Sequence, residues 1–429
     1  MKERIIAHSD LNCFFASVEM LRNPRLRDVP MAVCGSTEDR HGIVLAANYP
    51  AKRLGIKTAM PNGEAKRIYP GLQVVRPRFR DYVQFSGFVR EIYTDYSDKV
   101  EAFGPDESWI DLSPCVSTFQ QGEKITHEIR ERIKRELGLT VSIGLADNKV
   151  FAKLGSDIKK PDACTIIPKD RFKEIVWPLA ASDLLYVGPE TTKKFRERNI
   201  HTIGDLAQAN PDMLRRILGK VGLVLHAYAN GLDRATVSNI SYEAAPKSIG
   251  NSFTCPRDLE TDQDVKILIY TLFESVGARL AEKGLYASTV EFSYVGREFS
   301  FHHTRQMKLH LPTNLSGELA GAAFRLFQEN HGHWPTPLRK IGVRGTNLVS
   351  AKEPQQLSFW GNGEKYAQKE ELERAIYGLR NRYGNKIIQR ALMHMDKDLS
   401  KVDAKKDHTV HPAGVFKEAM PSFPTFPGG

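Results

Sequence analysis

Ile5-Ile6-Ala7-His8-Ser9-Asp10-Leu11-Asn12-Cys13-Phe14-Phe15 decides how the rest of the chain is read. Residues 5–7 read as a buried strand, and Phe14, Val18 and Leu21 recur at helical spacing. Asp10 therefore stands where a strand stops and a helix starts, a place where α/β sheets commonly hold ligands. A plainer reading has Asp10 or Asn12 simply capping that helix.

Outward from this stretch, residues 26–75 read as a small unit, with strands at 29–34 and 42–46 and a helix beginning at Asn48, with Gly55 available as its stop. Residues 76–165 return to α/β. Phe85, Phe88, Val89 and Tyr93 mark a helix. Residues 100–103 and 108–112 form a hairpin with Gly104-Pro105-Asp106-Glu107 at its turn. Ile125, Ile129, Ile133 and Leu137 fall on one face of a helix ended by Gly138; residues 140–144 are a short buried strand; 148–160 form a helix closed by Pro161.

Residues 166–233 change to short helices and tight turns. Those around Gly188 resemble helix–hairpin–helix elements, in which a glycine lets a helix N-terminus approach a DNA phosphate. Tyr186 stands where a first glycine is usual, and a purely structural helical hairpin reads as well. Residues 234–246 are a polar linker. A β-rich segment follows: Val290, Phe292 and Tyr294, then Met307, Leu309 and Leu311, then Ile341 and Val343 alternate with polar residues. Helical patterns at 264–282 and 316–330 back this sheet, and its other face carries Lys308, Lys340 and Arg344, either merely solvated or able to track a phosphate backbone. The last 25 residues, rich in proline and ending in two glycines, read as disordered.

At 429 residues the chain has room for two to four domains. Its five scattered cysteines show neither disulfide nor zinc spacing and suit a reducing cytoplasm. No apolar run approaches the ~20 residues of a membrane span, and no signal peptide is evident. A net charge of +10 hints at a polyanionic partner but is not concentrated in a block.

The chemistry lies in three carboxylates at strand ends: Asp10, Asp106 and Glu107. If their strands are neighbours the acids converge, and three unpaired acids in one place ordinarily hold divalent metal. Taken alone, the turn at 104–107 reads as an ordinary acidic turn. Lys160 either complements its helix dipole or offers a point charge to a triphosphate.

Four segments, His8-Ser9-Asp10-Leu11-Asn12-Cys13-Phe14-Phe15-Ala16-Ser17-Val18-Glu19, Pro105-Asp106-Glu107-Ser108-Trp109-Ile110-Asp111, Ser142-Ile143-Gly144-Leu145-Ala146-Asp147-Asn148-Lys149-Val150-Phe151-Ala152-Lys153 and Lys160-Pro161, resemble the Y-family, translesion DNA polymerases in order and spacing. Residues 47–56 are similar to the family's nucleotide-binding finger segment, and 247–250 and 339–344 to its little finger. The likeness runs from about residue 5 to 395 and is nearest the bacterial DNA polymerase IV branch.

The resemblance implies an α+β multidomain right-hand polymerase: palm (1–25 and 76–165), small fingers (26–75), helical thumb (166–233), β-rich little finger (247–350) and a C-terminal extension (351–429). It implies that Asp10, Asp106 and the Leu11 carbonyl ligate two Mg²⁺ ions, with Glu107 completing the site beside the primer 3′-OH. Phe15 would be the steric gate against a 2′-OH, with Phe14 beside it, and Tyr49, Lys52 and Lys160 would hold the triphosphate. The implied partners are primer-template DNA, deoxynucleoside triphosphates and, through Gln356, Leu357, Phe359 and Trp360, a sliding clamp; a core-edge hydrophobic turn is the other reading of that peptide. A cytoplasmic monomer engaged in mutagenic, low-fidelity repair synthesis is expected.

Asn12 departs from the family's usual aspartate, Lys52 from its arginine, and Ala46 from a small hydroxyl residue. A palm-type enzyme with another nucleotide product, or a catalytically inactive DNA-binding scaffold, are the competing functions. Phe15 and the DNA-binding C-terminal half argue against the first, and the three retained acids against the second.

Overall fold

The structure is a computed structural model that describes residues 4–35, 42–242, 245–299, 301–330, 337–353 and 363–401. The chain divides near residue 243 into two compact units. The N-terminal unit is built on a five-stranded sheet. Its strands are β1 (Ile6–Leu11), β5 (Val100–Ala102), β6 (Glu107–Asp111), β7 (Val141–Ala146) and β8 (Cys164–Ile167), in the order β5-β6-β1-β7-β8. A smaller sheet, β3 (Val44–Ala47), β2 (Met31–Cys34) and β4 (Gln73–Val75), carries its own apolar cluster around Val44, Ala47, Ile56 and Leu72.

Every residue of β1 is buried because both faces of its sheet are covered. Ile5, Ala7 and Leu11 pack in one cluster with Phe85 and Phe88 of helix Phe79–Thr94 and with Ile129 and Ile133 of helix Phe119–Leu137. Ile6 lies in a second cluster with Phe151 and Leu154 of helix Lys149–Ile158. Alternation along the strand then puts His8 and Asp10 on the same side as Ile6. A continuous apolar run, rather than an alternating one, is what a strand covered on both faces needs.

Helix Lys149–Ile158 lies unusually close to the sheet. A Cβ on Gly144 would stand 2.0 Å from the Ala152 carbonyl oxygen, and one on Gly155 would stand 3.0 Å from the Gly144 Cα. The two glycines let backbone meet backbone, which fixes where the lysines of this helix can reach.

Residues 166 and 167 belong to β8, whereas 168–233 form short helices and turns that merge into the core that holds Ile6 and Trp109. The stretch 234–246 is not a free linker throughout. Val237 is buried, the Arg4 guanidinium donates to the Asp233 and Ala235 carbonyls, the Ser238 N–H donates to Glu101 at 2.8 Å, and the Ile240 N–H to the Asp98 carbonyl at 3.2 Å. Its polar composition hid one buried valine and a set of backbone bonds.

The C-terminal unit is a four-stranded antiparallel sheet, order β11 (His302–Thr313), β10 (Leu285–Gly296), β12 (Leu338–Ser350), β9 (Ser248–Leu259). Helices Asp262–Glu282 and Ser316–Asn330 cover the face formed by Val290, Phe292, Tyr294, Ile341 and Val343. A further helix, Gly363–Tyr383, was not foreseen from the sequence. Arg380 and Arg390 pair with Glu274, and the Ser316 N–H donates to Glu373 at 3.0 Å. Glu274 and Ser316 belong to the two covering helices, so ionic and polar contacts join these segments.

Candidate active site

Antiparallel register brings the predicted acids to one edge of the central sheet. Asp10 pairs with Glu107 on one side and with Ser142 on the other. The Leu11 N–H donates to the Asp106 carbonyl at 3.0 Å. Glu107 is the first residue of β6, so only Asp106 of the acidic pair lies in the turn. That turn is held from behind, where the Arg90 guanidinium of helix Phe79–Thr94 donates to the Gly104 carbonyl at 2.7 Å.

Neither Asp10 nor Asn12 caps the following helix, which corrects the plainer reading. Helix Phe14–Arg22 starts after Cys13, which has a left-handed φ of 48° and gives no side-chain cap. Asn12 is buried; its Nδ2 donates to Ser142 Oγ at 3.0 Å, and its Oδ1 accepts from the Asp162 N–H at 2.9 Å. The residue that departs from the family pattern thus ties β1 to the segment that follows Lys160.

Lys160 is two residues past the last helical residue, Ile158, and its ammonium is taken up by carboxylates. Its Nζ lies 2.8 Å from Asp10 Oδ2 and 2.8 Å from Asp157 Oδ1. Lys153 Nζ lies 2.8 Å from Glu107 Oε1 and 3.8 Å from Asp157 Oδ2. Lys153 and Asp157 were not singled out from the sequence, although positions 153, 157 and 160 at i, i+4 and i+7 were a legible signal of one helical face. Burial lowers Lys160, but Asp10 and Asp157 outweigh it and leave its pKa raised. Burial, then the charge of Asp10, lifts Asp106 to about 6. Burial, reinforced by Asp10 and opposed by Lys153, lifts Glu107 to about 7.

Behind Glu107, His8 is fully buried, and burial followed by three lysines holds it well below its usual pKa, so it is neutral. Ser156 Oγ donates to the Lys153 carbonyl, so the 2.9 Å contact between Ser156 Oγ and His8 Nδ1 is donated by the imidazole. The bare Nε2 then sits 3.9 Å from Glu107 Oε2.

The donor set suits a hard divalent cation: carboxylate oxygens short of positive charge, two of them held in part by lysine. Among the described residues no three His, Cys, Asp or Glu side chains are gathered into a ready metal cage. Asp10 and Glu107 each accept from an ammonium instead. Mg²⁺ binds through one or two carboxylates plus substrate phosphates, so a dedicated cage is not required of such a site.

Phe14 is buried and Phe15 half-buried. The Phe15 ring stacks on Tyr82 at 4.2 Å with 12° between planes, and meets Phe79 edge-on at 6.1 Å. Tyr82 in turn donates its hydroxyl to the buried Glu19 at 2.7 Å. Burial first, then neighbouring Cys13 and the charge of Asp10, raise the pKa of Tyr49. Lys52 lies over the Tyr49 ring at 5.2 Å. The first turn of helix Tyr49–Arg53 is set by Asn48, which accepts from the Ala51 N–H at 3.0 Å.

Gly188 is exposed at the N-cap of helix Pro189–Arg196. Tyr186, where glycine is usual, takes a left-handed φ of 70°, the conformation that explains the usual choice. In the other unit, Lys340 pairs with Val295, Arg344 with Glu291 and Lys308 with Thr289, all on the face away from the helices. Arg344 is also 3.6 Å from Glu291. The segment holding Gln356, Leu357, Phe359 and Trp360 and the C-terminal tail lie outside the described residues.

Residues 9–157 match the impB/mucB/samB family and residues 246–359 the C-terminal domain of that family. A solved Y-family DNA polymerase chimera superposes with a TM-score of 0.70 at 25% identity, covering 81% of this chain and 99% of its own. The chain belongs to the Y family of DNA polymerases. Among its curated relatives are proteins named DNA polymerase IV. That of Acetivibrio thermocellus is 46% identical over 400 residues, covering 93% of this chain and 100% of its own. DNA polymerase IV 1 of Bacillus subtilis is 36% identical, covering 91% and 93%.

Proposed function

We propose that this chain is a template-directed DNA polymerase that adds deoxynucleotides to a primer 3′-OH and copies damaged template at low fidelity. The observation that carries it is the pairing of Asp10 with Glu107 beside Asp106, five residues from an aromatic gate. Asp10, Asp106, the Leu11 carbonyl and Glu107 would hold two Mg²⁺ ions. When bound, such ions neutralise charge on the triphosphate and on both oxygens of an in-line displacement.

The protein's share is positioning and charge. Lys160, Lys52 and Tyr49 hold the triphosphate, Lys52 as a point charge without the bidentate geometry of arginine. Phe15, backed by Tyr82, leaves no room for a 2′-OH, with Phe14 buried beside it. Gly188 of the thumb and Lys308, Lys340 and Arg344 of the little finger track the DNA backbone. A small side chain such as Ala46 beside the nascent pair tests its shape weakly, which admits lesions and errors together. The clamp peptide at 356–360, cytoplasmic location and monomeric state belong to the same reading; no helix among the described residues is long and apolar enough to cross a membrane.

Primer extension across undamaged and abasic templates tests the reading. Asp106→Asn should lower Mg²⁺-dependent extension by about three orders of magnitude while DNA binding persists. Full extension by that variant refutes it. Deleting 357–360 should cost clamp-stimulated but not basal synthesis.

A further inference from the structure

Asp157 has no place in the nucleotide or metal sites drawn above, yet it touches both lysines that neutralise the acids. It lies in the last turn of helix Lys149–Ile158, about half exposed, on a backbone pressed against β7 through Gly144 and Gly155. The backbone that carries its carboxylate is therefore held in place. Lys160 stands beyond the end of that helix and shares its ammonium equally between the fixed Asp157 and the acid Asp10, at 2.8 Å each.

We propose that Asp157 is a positioning residue for Lys160: it keeps the ammonium at the mouth of the site while Lys160 exchanges Asp10 for an incoming triphosphate. The inference rests on the reading of Lys160 as a triphosphate contact. A phosphate chain offers an ammonium more negative charge than one carboxylate, so the exchange runs forward when nucleotide enters. It frees Asp10 for a cation at the moment the phosphates that share that cation arrive. Nucleotide and metal then favour each other's binding, and the coupling is reciprocal. Without Asp157, Lys160 rests on Asp10 alone, and nucleotide must draw it off without an intermediate hold.

The opposite sign follows if Asp157 is only a surface charge. Removing a carboxylate near a polyanion's path would then leave nucleotide binding unchanged or tighten it. The test is deoxynucleotide affinity and steady-state kinetics of the full chain on primer-template DNA, with Asp157→Asn and Asp157→Glu. Asp157→Asn should weaken nucleotide binding and raise KM about three- to fivefold with little change in kcat, the size expected of a half-exposed pair, and Asp157→Glu should recover part of it. Unchanged or tighter nucleotide binding by Asp157→Asn overturns the proposal. Mn²⁺ alone, titrated into the nucleotide-free protein, gives a second arm. Lys160→Met should bind it about tenfold more tightly, because the ammonium that repels the cation and occupies Asp10 is gone; equal or weaker binding also overturns the exchange. Unaltered nucleotide affinity in Lys160→Met would instead refute Lys160 as a triphosphate contact, a failure of the underlying reading that the Asp157 variants alone would not produce.

Discussion

The two larger sheets of this protein handle charge in opposite ways. The five-stranded sheet gathers Asp10, Asp106 and Glu107 at one edge, partly buried and answered at close range by Lys153 and Lys160. The four-stranded sheet spreads Lys308, Lys340 and Arg344 over one open face, spaced by the strand repeat, with one loose pair to Glu291. Charges that perform chemistry must converge, and convergence has to be held against repulsion by burial, register and packed backbone. Charges that follow a polyanion need only correct spacing and water around them. The first arrangement is cooperative and brittle; the second is additive and sensitive to salt.

The sharpest way to break the comparison is at Gly144. A methyl there meets the Ala152 carbonyl oxygen at 2.0 Å, so helix Lys149–Ile158 must move off the sheet. Gly144→Ala should lose about 3 kcal/mol in denaturant unfolding; a cost within experimental error would show that the acidic edge is not rigidly held. Next in size, Phe15→Ala should reduce discrimination against ribonucleotides about a hundredfold, read as the ratio of kcat/KM values. Unchanged discrimination would remove Phe15 from the gate.

The acids make a pH test with a definite sign. Asp106 and Glu107 titrate higher in the folded protein, at about 6 and about 7, than their ordinary values of 3.8 and 4.5. Their protonation therefore contributes stability that is fully present below those ordinary values and lost as pH rises through 6 and 7. Metal binding requires the ionised forms. Mg²⁺ should leave Tm nearly unchanged at pH 5.5 and raise it by a few degrees at pH 8. An equal rise at both pH values would disconnect metal from these two acids. The smallest effects belong to the open face: Lys308→Ala, Lys340→Ala and Arg344→Ala should each weaken DNA binding a few-fold, reduce the salt slope by about one, and combine additively. A single dominant residue would mean that this face, too, is a convergent site.

Much of the site was legible in residue order. Asp10 at a strand end, the acidic pair at 106–107 and adjacent Phe14 and Phe15 could be read because each sits at a boundary between structural periods. The polar alternation of β10, β11 and β12 likewise showed which face would be open. Tyr82 was invisible as the support of Phe15, because a tyrosine 67 positions away leaves no local pattern. Helix Gly363–Tyr383 escaped for a related reason. Glu274, Arg380 and Arg390 join it to its unit by ionic contacts, and these have no period to follow.

What the sequence by itself determined was the set of parts: an apolar strand ending in an acid, a hairpin with two more, a pair of adjacent aromatics opening a helix, and a sheet with one basic face. These follow from local spacing, since a residue's face on a strand or helix depends on its neighbours along the chain. Only the tertiary structure decided how the parts meet. It set Asp10 against Glu107, turned Asn12 from a cap into a tie to the segment after Lys160, and brought Lys153, Asp157 and Lys160 over the acids. Register, backbone contact at Gly144 and burial of charge arise between segments far apart in the chain, where no local period reaches.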